Sequence, residues 1–117
     1  GRAGDVLILR VSADGTIRWR RTHGGFGSQH GRGIVATADG GLVVAGFTDE
    51  NGQNNGDVLL LKTDSLGDVL WRRTFGGSSN DSASSVAVAK DGGLIVCGWT
   101  LTEGAGDLFL VPVYRQV

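Results

Sequence analysis

Short runs of aliphatic residues alternate with polar, glycine-containing segments along the whole chain. The clearest run covers residues 42–48 and follows Asp39-Gly40-Gly41, a turn signal that precedes a β-strand. Nearly the same run covers residues 94–100 and follows Asp91-Gly92-Gly93. These runs are short and show no helical period, so the pattern predicts β-strands joined by tight turns.

The two runs belong to an internal repeat with a period of 52 residues. Aligning Asp5–Thr48 with Asp57–Thr100 without a gap gives 18 identities in 44 positions, which makes the repeat the main feature of the sequence. The pattern within each unit predicts four strands, and a third unit begins at Asp107. We therefore predict nine strands in one domain covering residues 1–117, with repeat 1 at 5–56, repeat 2 at 57–106 and the start of a third repeat at 107–117.

The predicted strands are nearly continuous apolar runs, as at residues 42–45 and 94–97, and do not alternate between apolar and polar positions. Strands of this kind are covered on both faces, so the small sheets are expected to pack against one another. Gly46 and Gly98 occupy the same place in the two runs. A glycine inside a strand indicates a close approach of backbone or of a ring.

The full recurring pattern is Gly-Asp, an aliphatic strand, a glycine turn, Trp-Arg-Arg-Thr, Gly-Gly, Asp-Gly-Gly and Gly-aromatic-Thr. Over essentially the whole chain this pattern resembles the β-propeller repeats of bacterial and archaeal secreted and surface proteins. The resemblance implies an all-β fold of β-propeller blades, with two four-stranded antiparallel repeats plus one extra strand, incomplete as a single chain. It also implies an innermost strand at 86–90, followed outward by 94–100, a strand of the Asp107 type and a strand of the Trp71 type. An extracellular or cell-surface location is a further expectation.

Composition excludes several classes of partner. The formal net charge is −1, from 11 basic and 12 acidic residues, so we expect no nucleic-acid binding, and no apolar run is long enough to span a membrane. Cys97 is the single cysteine, which excludes a disulfide framework and predicts a buried, unreactive thiol. The chain contains no methionine, so we expect a mature product or a piece of a longer secreted propeller protein.

We predict no catalytic residue, no cofactor site and no metal site, and therefore no enzyme. His30, Ser28 and Asp81 could be imagined as a triad, but nothing in the sequence orients them. The loop at residues 49–57 offers several oxygen ligands, yet its spacing is not that of an EF-hand and its counterpart at 100–107 lacks them. A polar turn is the favoured interpretation of this loop.

Trp19 and Trp71 occupy equivalent positions in the two repeats. Packing between blades is the favoured interpretation, while a glycan site in a lectin-like ring remains an alternative. The arginines that follow each tryptophan are expected to stack on it or to pair with the recurrent aspartates.

The first and ninth predicted strands are copies of the same blade strand, and no counterpart of strand 17–22 follows the ninth. An open sheet edge recruits strands from other chains, so we predict self-assembly by strand sharing, with a ring or an extracellular filament as the product. Pro112 removes one backbone donor from this edge. The predicted assembly residues are Asp5, Val6, Leu7, Ile8, Leu9, Asp107, Leu108, Phe109, Leu110, Val111 and Pro112.

Overall fold

The computed structural model describes residues 4–24, 27–49, 56–76, 80–102 and 105–112, with side chains described up to residue 100. These residues form nine β-strands and no helix, which confirms the predicted strand number. The strands are β1 (Val6–Val11), β2 (Ile17–His23), β3 (Ser28–Ala36), β4 (Leu42–Asp49), β5 (Asp57–Thr63), β6 (Val69–Phe75), β7 (Asp81–Val88), β8 (Leu94–Thr102) and β9 (Ala105–Pro112).

The strands form three antiparallel sheets. Sheet A contains β1 and β2, sheet B has the order β3-β4-β5-β6, and sheet C has the order β7-β8-β9. Within each sheet, neighbouring strands are also neighbours along the chain, as in successive β-hairpins. The all-β, antiparallel class is thus confirmed.

The 52-residue period extends to irregularities of the backbone. The pairing of β3 with β4 shifts between Gly31 and Gly33, and the pairing of β7 with β8 shifts at the equivalent place, between Ala83 and Ser85. The Asp-Gly-Gly turns also match, because Asp39 Oδ1 accepts the N–H of Gly41 at 3.0 Å and Asp91 Oδ1 accepts that of Gly93 at 2.9 Å. These carboxylates fix the turns that set the register of each hairpin.

Strands β3 and β7 begin earlier than the sequence predicted. The innermost strand was expected at 86–90, but β7 already starts at Asp81, and its counterpart β3 starts at Ser28. The reason is tertiary: His30 pairs with Phe47 across the strands, and its ring stacks on the Phe47 ring with centroids 4.5 Å apart. Gly46 leaves room for the His30 carbonyl, which confirms the close approach predicted there.

Sheet B lies between the other two sheets and is covered on both faces. One face joins Val6 and Ile8 of sheet A in a buried cluster with Val44, Leu59 and Leu61. The other face contributes to a second cluster with sheet C, formed by Val43, Ala45, Val58, Leu60, Ala83, Leu94 and Val96. Continuous apolar runs were therefore a correct sign of two-sided burial in β4 and β5.

The same interpretation is wrong for β1 and for the described part of β8. In β1 only Val6 and Ile8 are buried, and in β8 Ile95 remains exposed beside the buried Leu94 and Val96. Cys97 is half-buried and not buried as predicted. These strands belong to sheets A and C, each of which has a described sheet on one face only. No helix in the described part of the chain is long and apolar enough to cross a membrane.

Candidate functional site

Two interfaces between sheets are built from equivalent residues. Val6 and Ile8 of sheet A pack on sheet B, and 52 residues later Val58 and Leu60 of sheet B pack in the cluster shared with sheet C. On the opposite side of the contact, Val44 of sheet B in the first interface corresponds to Val96 of sheet C in the second. We call the sheet face that carries Val44 or Val96 the receiving face. The two sides of each interface differ, so the contact between neighbouring sheets is heterologous.

Polar and aromatic contacts between β2 and the β5–β6 turn reinforce the interface between sheets A and B. The Trp19 ring covers Gly67 in the β5–β6 turn, so that a Cβ on this glycine would lie 2.6 Å from Trp19 Cζ3. Arg21 lies over the Trp19 ring, 5.4 Å from its centroid, and its Nε donates to Asp68 Oδ1 at 3.2 Å. His23 Nε2 donates to the Gly67 carbonyl at 2.9 Å. The turn of one sheet is thus held by the last strand of the preceding sheet.

The outer face of sheet A is apolar and exposed. Leu7 is 51% exposed and Leu9 is 46% exposed, whereas their equivalents Leu59 and Leu61 in sheet B are 1% and 2% exposed. The difference follows from position, since sheet A covers the face that carries Leu59 and Leu61. Gly15, the equivalent of Gly67, has no atom within 4 Å of the position that a Cβ would occupy. Sheet A thus carries leucines equivalent to those on the covered face of sheet B, and no sheet formed by the described residues packs on them.

A cleft of about 420 Å³ adjoins this face at the edge of β1. Residues 4–8 of β1 and its approach line one side, and residues 29–34 of β3 line the other. Ile34 is exposed here, whereas its equivalent Val86 is half-buried against sheet B. In sheet B the corresponding edge of β5 is paired with β4. The cleft thus lies along the edge of β1 that corresponds to the paired edge of β5.

Strand β9 occupies on β8 the register that β5 occupies on β4. Thr100 faces Asp107 as Thr48 faces Asp57, and Cys97 faces Leu110 as Ala45 faces Leu60. The predicted assembly residues 107–112 therefore lie in a paired strand, although their side chains fall outside the described ones. Of the predicted assembly residues in β1, Val6 and Ile8 are internal contacts, and Leu7 and Leu9 are exposed.

A buried lysine is the feature that the sequence interpretation missed. Lys62 Nζ donates to Thr37 Oγ1 at 3.2 Å, to both oxygens of Asp39 at 3.1 Å and to the Thr63 carbonyl at 3.0 Å. The Lys62 side chain is 3% exposed and that of Asp39 is 58% exposed. Hydrogen bonds from the Thr37 hydroxyl, the Gly41 N–H and the Lys62 ammonium lower the pKa of Asp39 below its ordinary value.

The repeat could have pointed to this lysine. The equivalent of Thr37 in repeat 2 is Ala89, and the equivalent of Lys62 in the third repeat is Pro112. The lysine donor and the threonine acceptor are therefore lost together. Such a paired replacement indicates contact, but with only two aligned units the signal is a single instance. The Lys62 ammonium links the β3–β4 turn to β5, because its acceptors are groups of that turn and of β5. Its role is structural.

The residues considered for chemistry are not assembled into a site. Among the described residues no group of three or more His, Cys, Asp or Glu could hold a metal ion. Asp81 accepts a hydrogen bond from the Thr100 hydroxyl, and the His30 ring stacks on the Phe47 ring. Most of the loop at 49–57 lies outside the described residues.

Trp19 and Trp71 are both half-buried and pack against the inter-sheet clusters. Arg21 and Arg73 lie over them, and the partner of Arg21 is Asp68 and not one of the recurrent aspartates. Neither tryptophan lines the cleft at β1 or a second cleft of about 310 Å³ between sheets A and B. The structure therefore gives these rings packing contacts, and the glycan alternative gains nothing from it.

No family model matches this chain. It is similar to the regulatory protein FlaEY of Caulobacter vibrioides, with 47% identity over 68 residues. The matched stretch is 56% of this chain and 7% of that protein. It is longer than one 52-residue period, so the similarity extends beyond a single repeat.

Proposed function

We propose that this chain is a non-enzymatic structural module of the β-propeller type that assembles with other copies of itself by sharing strands. Each sheet corresponds to a blade, and the chain supplies one complete blade, sheet B, and parts of two others. Its role is mechanical: it presents the two halves of one inter-blade interface to its neighbours. An extracellular location, as part of a ring or a filament, completes the proposal.

The observation that carries the proposal is the repetition of the interface. Sheet A packs on the receiving face of sheet B, and the opposite face of sheet B packs on the receiving face of sheet C through equivalent residues. The receiving face of sheet A, with Leu7 and Leu9, has the same residue types as the covered face of sheet B. Exposed apolar surface beside an open strand edge favours association with a matching surface.

The test is the mass and shape of the purified particle. Light scattering at micromolar concentration is expected to give a multiple of the chain mass of 12.2 kDa, and negative-stain microscopy is expected to give rings or filaments. A chain that is folded by circular dichroism and stays monomeric at this concentration would contradict the proposal.

The second candidate is that the chain is a segment of a larger propeller protein, whose other repeats cover the free faces. The similarity to FlaEY favours it, because the matched stretch occupies only 7% of that much longer protein. The regulatory role that FlaEY is named for is a property of FlaEY and is not assigned to this chain. A folded monomer in the assembly test is the result expected for this candidate.

A further inference from the structure

We propose that a second copy of the chain completes sheet A by strand exchange. In this arrangement β8 of the second copy pairs with β1 in the register in which β4 pairs with β5, and it releases its own β9. The composite sheet then has the order β7-β8 from one copy and β1-β2 from the other, which is the order of sheet B. This inference rests on the proposed self-assembly and names the strands, the register and the cleft that it uses.

The cleft at β1 is the place that the exchanged strands fill. Its wall is formed by the part of β3 around Gly31 and by Val44 of β4. In sheet C the equivalents Ala83 and Val96 are fully covered by β4 and β5 of sheet B. A sheet that continues β1 with strands like β4 would cover Gly31 and Val44 in the same way.

The register of β9 identifies β8 as the incoming strand. β1 and β9 align residue by residue, so Asp5 can replace Asp107 opposite Thr100, and Ile8 can replace Leu110 opposite Cys97. The backbone hydrogen bonds lost and gained in such an exchange are nearly equivalent.

The exchange also accounts for the exposed face of sheet A. In the composite sheet Leu7 and Leu9 face Val58 and Leu60 of the neighbouring copy, just as Val96 does in sheet C. Gly15 then lies at the place where Trp71 of that copy can cover it, as Trp19 covers Gly67. Each copy contributes two sheets in total, so the arrangement adds head to tail.

Disulfide trapping tests the register directly. Ile8→Cys places a thiol opposite the native Cys97 of the neighbouring copy, and mild oxidation with oxidised glutathione is expected to give a ladder of covalent multimers on a non-reducing gel. Within one copy these residues lie in sheets A and C, on opposite sides of sheet B, so the crosslink can form only between copies. The double variant Ile8→Cys, Cys97→Ser is the control and is expected to give no ladder.

A second set of variants avoids the buried position. Leu9→Arg places a charge on a face that the exchange buries, and it is expected to raise the concentration needed for assembly more than about a hundredfold. Ile17→Arg is the matched control, because Ile17 is exposed and its equivalent Val69 stays exposed in the covered sheet B. Gly15→Ala is expected to weaken assembly and Gly92→Ala is not, although both glycines have a positive φ and an empty Cβ position.

The outcomes separate the inference from the proposed function. Assembly with a disulfide ladder and with sensitivity at Leu9 supports both. Assembly without the ladder, as in simple stacking of sheet C on sheet A with β9 in place, overturns the exchange and leaves self-assembly standing. A wild-type chain that stays monomeric and folded overturns both, and assigns the free faces to further repeats of a longer chain.

Discussion

The contact of Trp19 with Gly67 can be measured by adding a single methyl group. Gly67 has a φ of +86°, and a Cβ there would lie 2.6 Å and 2.8 Å from two ring atoms of Trp19 and 2.8 Å from Arg21 Cγ. Gly15 has a φ of +93° and no atom within 4 Å of its Cβ position. Alanine at either site therefore has the backbone strain in common, and only Gly67→Ala also overlaps the neighbouring sheet.

The expected magnitudes follow from these two terms. The left-handed conformation disfavours alanine by about 1–2 kcal/mol, which is the full effect expected for Gly15→Ala. Overpacking against a ring adds about 1–3 kcal/mol, so Gly67→Ala is expected to lower the free energy of unfolding by about 2–5 kcal/mol. The difference between the two variants, about 1–3 kcal/mol, measures the inter-sheet contact alone.

The assay is urea denaturation followed by far-ultraviolet circular dichroism, at a concentration low enough that the chain is not assembled. A double-mutant cycle with Trp19→Ala completes the design, because removal of the ring should reduce the effect of Gly67→Ala to that of Gly15→Ala. Equal effects of the two glycine variants, within about 0.5 kcal/mol, would refute the contact as a source of stability.

Four further outcomes are expected. Asp39→Ala should destabilise the fold by about 1–3 kcal/mol more than Asp91→Ala in urea melts, because both lose a turn hydrogen bond but only the first leaves the buried Lys62 ammonium without its carboxylate. The lowered pKa of Asp39 gives a stabilisation that is complete above its ordinary pKa of 3.8 and is lost as the pH falls below it. The stability gap to Asp39→Asn should thus shrink in acid, by about 1 kcal/mol or less, since the carboxylate is 58% exposed. Cys97 should react with a thiol reagent in dilute solution and be protected in the assembly; equal rates would argue against its burial there. A chelator should leave the melting temperature unchanged, because the loop at 49–57 is expected to be a polar turn, and a drop restored by calcium would contradict this.

Period and turn chemistry made most of the fold predictable. The Asp-Gly-Gly turns and the aliphatic runs that follow them predicted the β3–β4 and β7–β8 hairpins, whereas the order of strands within a sheet was implied only by the propeller resemblance. The early start of β3 was not predictable from residues 28–33, because polar and glycine residues are poor strand formers on local grounds. Its stabilisation comes from the Phe47 ring and from pairing with β4, which are contacts distant in sequence.

The candidate site divides in the same way. The sequence identified Trp19, Trp71 and β1 as positions of interest because they recur, but recurrence alone could not distinguish a packing role from a ligand role. The structure placed Trp19 on Gly67, a pairing 48 residues apart that crosses from one sheet to the next. The Lys62 network was missed because Lys62 is 25 residues from Thr37 and 23 residues from Asp39, and neither Thr37 nor Lys62 is repeated in the next unit.

What the sequence by itself determined was the set of hairpins and their repetition, since turn residues and strand-forming runs act over a few neighbouring residues. What only the tertiary structure decided was which of two equivalent faces is covered. Leu9 and Leu61 have the same residue type and the same place in the period, yet one is 46% exposed and the other 2%. Burial is a property of the neighbouring sheet and not of the residue, because the hydrophobic effect depends on the water that a neighbour removes.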